Sequence, residues 1–202
     1  MTGRVAPSGG RVGARIQGTD AGAVLRAADL FTRAEGGALD LLLLPTGEAG
    51  YDGEAYVTDL RVRNAPVLAS LLNAVSVVGL LQQLGGQGIV FEEVAASFRI
   101  DPSRITLHRS SAVGVGLGLS MEGSYDTAAD AMDFRGVFSP LYLINGIGQV
   151  VSHPGEGLFG FNYALRGPSA APEVGVNPLS ALTPGRFRDL FRRAPPREAP
   201  GQ

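Results

Sequence analysis

The segment 115–126 alternates apolar residues with small or polar ones, and this period of two constrains the fold more than any other feature of the sequence. Successive side chains of a β-strand point to opposite faces. One face of this strand would carry Gly and Ser through position 120. The other would carry Val115, Leu117, Leu119 and Met121. A chain with such a segment must build a sheet that has an apolar face to cover.

Other segments of similar length also read as strands, and Gly-rich or Asp-Pro breaks separate them, which favours tight turns. Glycine, at 29 of 202 residues, and proline, at 13, are too frequent for a coiled coil or a helical bundle. We therefore predict a mainly β protein with a curved antiparallel sheet that forms an apolar groove. The predicted strands are 38–45, 54–62, 89–100, 104–113, 115–126, 131–138, 158–168 and 173–178.

A few helices are expected at the ends of this sheet or in its concavity, at 20–35, 65–84, 140–151 and 184–193. Asp20 or Thr19 can cap the first helix, and Gly36-Gly37 would end it.

The longest apolar stretch, 65–84, could span a bilayer by its length, but it contains several Ser, Asn and Gln residues. A spanning helix prefers a cleaner apolar run, so we predict a buried or interfacial helix. Asn64 is its expected N-cap, Pro66 lies in its first turn, and Gly85-Gly86 would end it.

The predicted domain organisation is simple. Residues 1–10 are rich in Gly, Pro and Ser and are expected to be flexible, residues 11–193 form a single domain, and residues 194–202 form a disordered tail. The arginines near the start are not followed by the apolar run of a signal peptide, and no transmembrane anchor is visible.

The composition excludes several kinds of chemistry. The sequence contains no Cys, which excludes disulfides, thiolate nucleophiles and Cys-ligated metals. It contains no Lys, which excludes Schiff-base chemistry and a P-loop lysine. The formal net charge of -2 argues against a nucleic-acid partner. The two histidines, His108 and His153, have no metal-binding spacing, so neither a metal nor a cofactor is expected.

The glycine series Gly114, Gly116 and Gly118 does not have the spacing of a nucleotide-binding loop, and no helix follows it. Alternating glycines in a strand instead favour the close approach of another backbone or a ligand to that face.

Catalytic groups are hard to assemble from this sequence. His108 with Ser110 or Ser111 is the one candidate hydrolase pair, but no third member or nucleophile elbow accompanies it. His108 is in phase with Thr106 and Ser110, which predicts the solvent face of a strand. Glu92 and Glu93 are adjacent in a predicted strand and would point to opposite faces, so they are not a catalytic pair.

The predicted helix 184–193 combines arginines with an apolar edge. Ten residues are short for autonomous membrane binding, so a capping helix with a solvated arginine face is favoured over an interfacial membrane helix. The membrane-facing candidates are Arg186, Phe187, Arg188, Leu190, Phe191, Arg192 and Arg193.

Much of the remaining apolar surface is expected to be core, but a concave apolar face that stays open would be a lipid site. The candidate lining residues come from helix 65–84 and from two strands. They are Leu68, Leu71, Leu72, Val75, Leu117, Leu119, Met121, Phe159, Phe161 and Tyr163.

Two blocks carry a family resemblance, the stretch RNAPVLASLLNAVSVVGLL followed by GIVFEE, and the stretch YALRGPSAAPEVGVNPLSALTPG. With the order of the other segments, they resemble the C-terminal region of bacterial envelope proteins of the AsmA-like/YhdP family. The resemblance covers roughly residues 11–193. It implies a β-groove with an apolar lining, no enzymatic activity, and a place in the cell envelope, in the periplasm and associated with the inner membrane.

The resemblance implies lipid transport in outer membrane biogenesis, with phospholipid acyl chains bound or guided between the inner and outer membranes. A phospholipid or another acyl-chain lipid, a membrane surface, or the rest of a larger envelope protein is the expected partner. The alternative is a structural cap or assembly module at the end of a longer β-groove, without a lipid of its own. A helix 65–84 that fills the concavity would favour the cap, and one outside it would leave the groove open.

Overall fold

One antiparallel sheet contains all the strands in the computed structural model, which describes residues 2–8, 11–46, 49–140 and 160–177. Three helices accompany it in these ranges: α1 (Ala21–Ala27), α2 (Pro66–Ala74) and α3 (Val78–Gly85). The strands are β1 (Thr2–Ser8), β2 (Arg11–Gly18), β3 (Ala34–Glu35), β4 (Ala38–Thr46), β5 (Gly50–Val62), β6 (Ile89–Asp101), β7 (Arg104–Gly114), β8 (Leu117–Asp126), β9 (Ala131–Pro140), β10 (Phe161–Gly167) and β11 (Glu173–Asn177).

The sheet follows the order of the chain. Its strand order is β1-β2-β4-β5-β6-β7-β8-β9-β10-β11, with the short β3 beside the end of β5. Within the described ranges β1 and β11 each pair with one strand and not with each other, so the sheet is open. The predicted mainly β, antiparallel fold is confirmed.

The two faces of the sheet differ in chemistry. All three helices cover one face, which we call the inner face. Two core clusters lie there, one around α1 and one around α2 and α3, and Val94 packs against both. The opposite, outer face carries cross-strand ion pairs, such as Asp52 with Arg99 and Glu122 with Arg135.

The inner face is concave because the sheet curves around α2 and α3. α2 lies against β11 and α3 lies against β6. Packed helix axes are about 8–10 Å apart. In a flat sheet β6 and β11 would be five strand spacings apart, or about 24 Å. The sheet is curved, and the two adjacent helices reach strands on both sides of its concavity.

The structure confirms the predicted cap of the first helix but not its predicted length. Asp20 Oδ1 accepts a hydrogen bond of 2.9 Å from the Ala23 backbone N–H. α1 ends at Ala27 rather than at Gly36-Gly37, because Asp29 has a left-handed backbone, with φ of 53°, which cannot continue an α-helix. Ala34–Glu35 then form β3, which pairs with β5.

The single helix predicted over 65–84 is two helices. Ser76 has a left-handed backbone, with φ of 59°, which cannot continue an α-helix and separates α2 from α3. Pro66 begins α2 and Gly85 ends α3, as predicted. Asn64 is not the N-cap, because its own φ is 46° and the cap position belongs to Ala65.

The N-terminal segment also differs from the prediction. Residues 1–10 were expected to be flexible, but Thr2–Ser8 form β1 and pair along their length with β2. Gly9-Gly10 between two such runs is a hairpin signal that the composition of the segment obscured. Pro7 is tolerated because β1 is an edge strand of the described sheet.

Candidate functional site

The described groove-lining candidates come together, but mainly as core. Leu68, Leu71 and Leu72 of α2 are buried against the sheet, in one cluster with Leu117 and Tyr163. Four more candidates are half-buried at its border, namely Val75, Leu119, Met121 and Phe161. These residues hold the helices on the sheet. Phe159 and the candidates between Arg186 and Arg193 lie outside the described residues, as do nearly all of the predicted helix 140–151 and the whole of the tail 194–202.

Beyond the helices, the inner face continues as an apolar surface toward the other end of the strands. One row of directly paired residues crosses β5 to β9 there, and each side chain is half-buried. The row consists of Tyr51, Ile100, Ile105, Tyr125 and Met132. We call it, with Phe98 and Leu107, the distal face. Neither core cluster includes these seven residues.

A glycine shapes part of the distal face. A Cβ on Gly53 would lie 2.3 Å from the ring of Phe98 on the paired strand, so this ring covers the position where β5 has no side chain. Phe98, Ile100, Ile105 and Leu107 were not among the predicted lining residues. The Asp101-Pro102 turn could have indicated them, because a tight hairpin at this turn places Ile100 opposite Ile105.

Tyr163 has a structural position. Its hydroxyl donates a hydrogen bond of 2.9 Å to the Ser120 carbonyl on β8, and its ring crosses β9 at Gly136, where a Cβ would lie 2.9 Å from Cζ. Burial raises the pKa of Tyr163, so the phenol stays protonated and keeps this hydrogen bond.

The glycine series is split by the hairpin between β7 and β8. Gly114 ends β7, Gly116 lies in the turn, and Gly118 belongs to β8. The predicted close approach holds for Gly114, where a Cβ would lie 2.2 Å from the Val90 carbonyl oxygen. At Gly118 a Cβ would meet the Ser139 carbonyl oxygen only at the ordinary contact distance of 3.9 Å, so no other backbone approaches closely there.

The structure separates His108 from Ser110. β7 contains a bulge here, because Leu107 and Ser110 pair with Gly123 and Met121, which are only two residues apart. His108 is exposed, as predicted, on the side of Asp52. Ser110 faces Met121, and its hydroxyl donates a hydrogen bond of 2.8 Å to the Met121 carbonyl. The prediction that His108 and Ser110 are in phase is therefore wrong.

Within the described ranges, no group of three or more His, Cys, Asp or Glu side chains could hold a metal ion. Glu92 and Glu93 are both exposed, because Phe91 and Val94 on either side both pack inward. The regular alternation that would place them on opposite faces is therefore interrupted between Phe91 and Val94. The outer-face carboxylates serve as ion-pair partners. Hydrogen bonds from Arg15 and Gln17 lower the pKa of Asp40 to about 2, and Arg99 lowers the pKa of Asp52.

Comparisons with family models, with curated proteins and with solved structures find no match. Among the described helices, none has the length and apolar character needed to cross a membrane.

Proposed function

We propose that this protein binds acyl chains on the distal face and its border with the core, as a non-enzymatic module of the cell envelope that guides phospholipid between the inner and outer membranes. The observation that carries the proposal is the row from Tyr51 to Met132. It presents three apolar side chains and two tyrosine rings in direct register on five neighbouring strands and belongs to neither core cluster.

The size of this surface suits an extended hydrocarbon chain. Four strand spacings make the row about 19 Å long. Each methylene group that leaves water contributes about 0.8 kcal/mol, so ten methylenes would supply about 8 kcal/mol before the costs of ordering the chain. A surface of this kind recognises apolar character and length rather than one headgroup.

The second candidate is a cap at the end of a longer β-groove. It is favoured by α2 and α3, which fill the concavity at the end where β5 finishes and β6 begins, as expected for a plug. The two candidates differ at the distal face. A transport module needs this face for lipid, whereas a cap needs only the closed end.

A fluorescent C18 fatty acid, displaced by unlabelled phospholipid, tests the proposal. We expect saturable binding by the wild type and at least tenfold weaker binding by Ile105→Gln. The bound acyl chain would displace the water that hydrates the new amide, and the loss of these hydrogen bonds costs free energy. The matched control is Leu44→Gln on the outer face, where Leu44 is 46% exposed, and this variant should bind like the wild type. Both variants should keep the wild-type melting temperature.

Absence of saturable binding by the folded wild type would overturn the lipid proposal and leave the cap. Equal loss of binding in both variants would also contradict it, because the distal face would then have no special role.

A further inference from the structure

Arginines on the outer face follow a simple rule. Each described strand arginine there that pairs with a carboxylate finds it on the next strand, at 2.5–3.5 Å. The pairs are Arg15–Asp40, Arg99–Asp52, Arg104–Asp126, Arg135–Glu122 and Arg166–Asp133. In this arrangement each arginine is paired with a carboxylate of an adjacent strand.

Arg109 and Glu54 depart from this rule. Both are exposed, and neither forms a side-chain hydrogen bond or an ion pair with any residue that the structure describes. They lie in the same cross-strand row, with Ser97 between them, because Glu54 pairs with Ser97 and Ser97 pairs with Arg109. Two strand spacings, or about 10 Å, therefore separate the backbones of two opposite charges.

A trough of about 690 Å³ on the outer face extends from the Arg15–Asp40 ion pair on β2 and β4, past Glu54, to Arg109 on β7. Ala95, Ser97 and Ser111 contribute short side chains to its lining. Tyr56, which is 45% exposed, lines it two residues from Glu54 on the same strand and so on the same face. The β7 bulge adds a residue beside Arg109 and so sets its place in this row.

Two parts of the trough, one on β5 and one on β7, suit two different groups. A carboxylate attracts an ammonium ion through its negative charge, and an aromatic ring beside it adds a cation–π interaction. An arginine fork with nearby serine hydroxyls suits the oxygens of a phosphate. We propose that the trough binds a zwitterion that carries both groups, with its ammonium against Glu54 and Tyr56 and its phosphate against Arg109 and Ser111.

This site goes beyond the proposed acyl-chain binding and does not depend on it, because it lies on the opposite face of the sheet. The zwitterion can be a free phosphorylated amine or the headgroup of a phospholipid. These two sources share the recognition chemistry and differ in whether the ligand is soluble.

Calorimetric titration of the full chain tests the site with phosphoethanolamine, ethanolamine and inorganic phosphate as separate probes. We expect phosphoethanolamine to bind at least tenfold more tightly than either fragment. Glu54→Gln and Arg109→Gln should each reduce this affinity at least tenfold. Arg166→Gln removes a paired arginine elsewhere on the same face and should leave the affinity unchanged.

Vesicle sedimentation distinguishes the two sources. Tighter retention on phosphatidylethanolamine than on phosphatidylglycerol vesicles, lost in Arg109→Gln, would assign the headgroup, and soluble binding without this preference would assign the free amine. The proposal is overturned if phosphoethanolamine binds no better than its fragments and the vesicle preference is absent. It is also overturned if Glu54→Gln and Arg109→Gln bind like the wild type. Either result leaves the fatty-acid displacement experiment unaffected.

Discussion

Leu72→Asp is expected to yield unfolded or aggregated protein. Leu72 is fully buried at 0% exposure between α2 and the sheet, and a carboxylate there would have neither water nor an ion-pair partner. An unpaired buried charge costs several kcal/mol, and the lost leucine contacts add about 2–5 kcal/mol. Together these costs approach the whole stability of a typical domain. Soluble yield and circular dichroism measure the outcome.

Two further variants make this test quantitative. Leu72→Ala should fold, with a free energy of unfolding about 2–5 kcal/mol below that of the wild type in a urea titration. Val78→Asp is the matched control, because Val78 begins α3 and is 60% exposed. It should retain the wild-type stability. If Leu72→Asp folds with an unchanged melting temperature, α2 is not packed on the sheet.

Gly136→Ala is expected to destabilise the protein by about 1–3 kcal/mol or more, the range for an overpacked site. The added Cβ would lie 1.8 Å from the Ser120 carbonyl oxygen and 2.9 Å from Cζ of Tyr163. Relief of the first contact requires the backbones of β8 and β9 to move apart, and this movement would weaken the Tyr163 hydrogen bond to Ser120. Thermal and urea unfolding measure the loss.

Gly118→Ala is the control for this substitution, in the adjacent strand β8. Its Cβ would meet only the Ser139 carbonyl oxygen, at the ordinary contact distance of 3.9 Å. We expect a change within about 0.5 kcal/mol, as for other surface substitutions. Valine at this position should also be tolerated. The alternating glycines of the sequence alone predict the opposite, because they favour a close approach that would leave no room for a larger side chain. Equal effects of Gly136→Ala and Gly118→Ala would contradict the described pairing of β8 with β9.

Local patterns in the sequence predict most of the sheet. Asp101-Pro102 marks a tight turn, and the hairpin it forms places Ile100 opposite Ile105. Once neighbouring strands join through such turns, the order of the chain becomes the order of the sheet. The alternation of Leu117, Leu119 and Met121 likewise assigns the face that packs toward the core. Val115, predicted on the same face, lies instead in the turn before β8 and is 76% exposed.

Features that depend on one backbone angle or on distant contacts were not predictable. The left-handed backbone of Ser76 divides an apolar stretch that has the composition of one helix. The bulge in β7 adds one residue and moves Ser110 out of phase with His108. Glu54 and Arg109 come into one cross-strand row, with Ser97 between them, only when β5, β6 and β7 are in register.

The candidate site was also predicted only in part. The sequence identified residues such as Leu72 and Leu117 by their apolar character, and the structure places them in the core. The distal face carries residues of similar character, such as Leu107 and Met132. Burial by the helices separates the two groups, and the sequence pattern does not contain that information.

Native mass spectrometry of the full chain, purified without detergent, tests acyl-chain binding most directly. We expect the wild type to carry a co-purified phospholipid or fatty acid. Ile105→Gln should lose it, and Leu44→Gln should keep it. A folded wild-type protein that carries no lipid, and takes up none when incubated with phospholipid vesicles, would contradict the proposal and leave the cap as the remaining candidate.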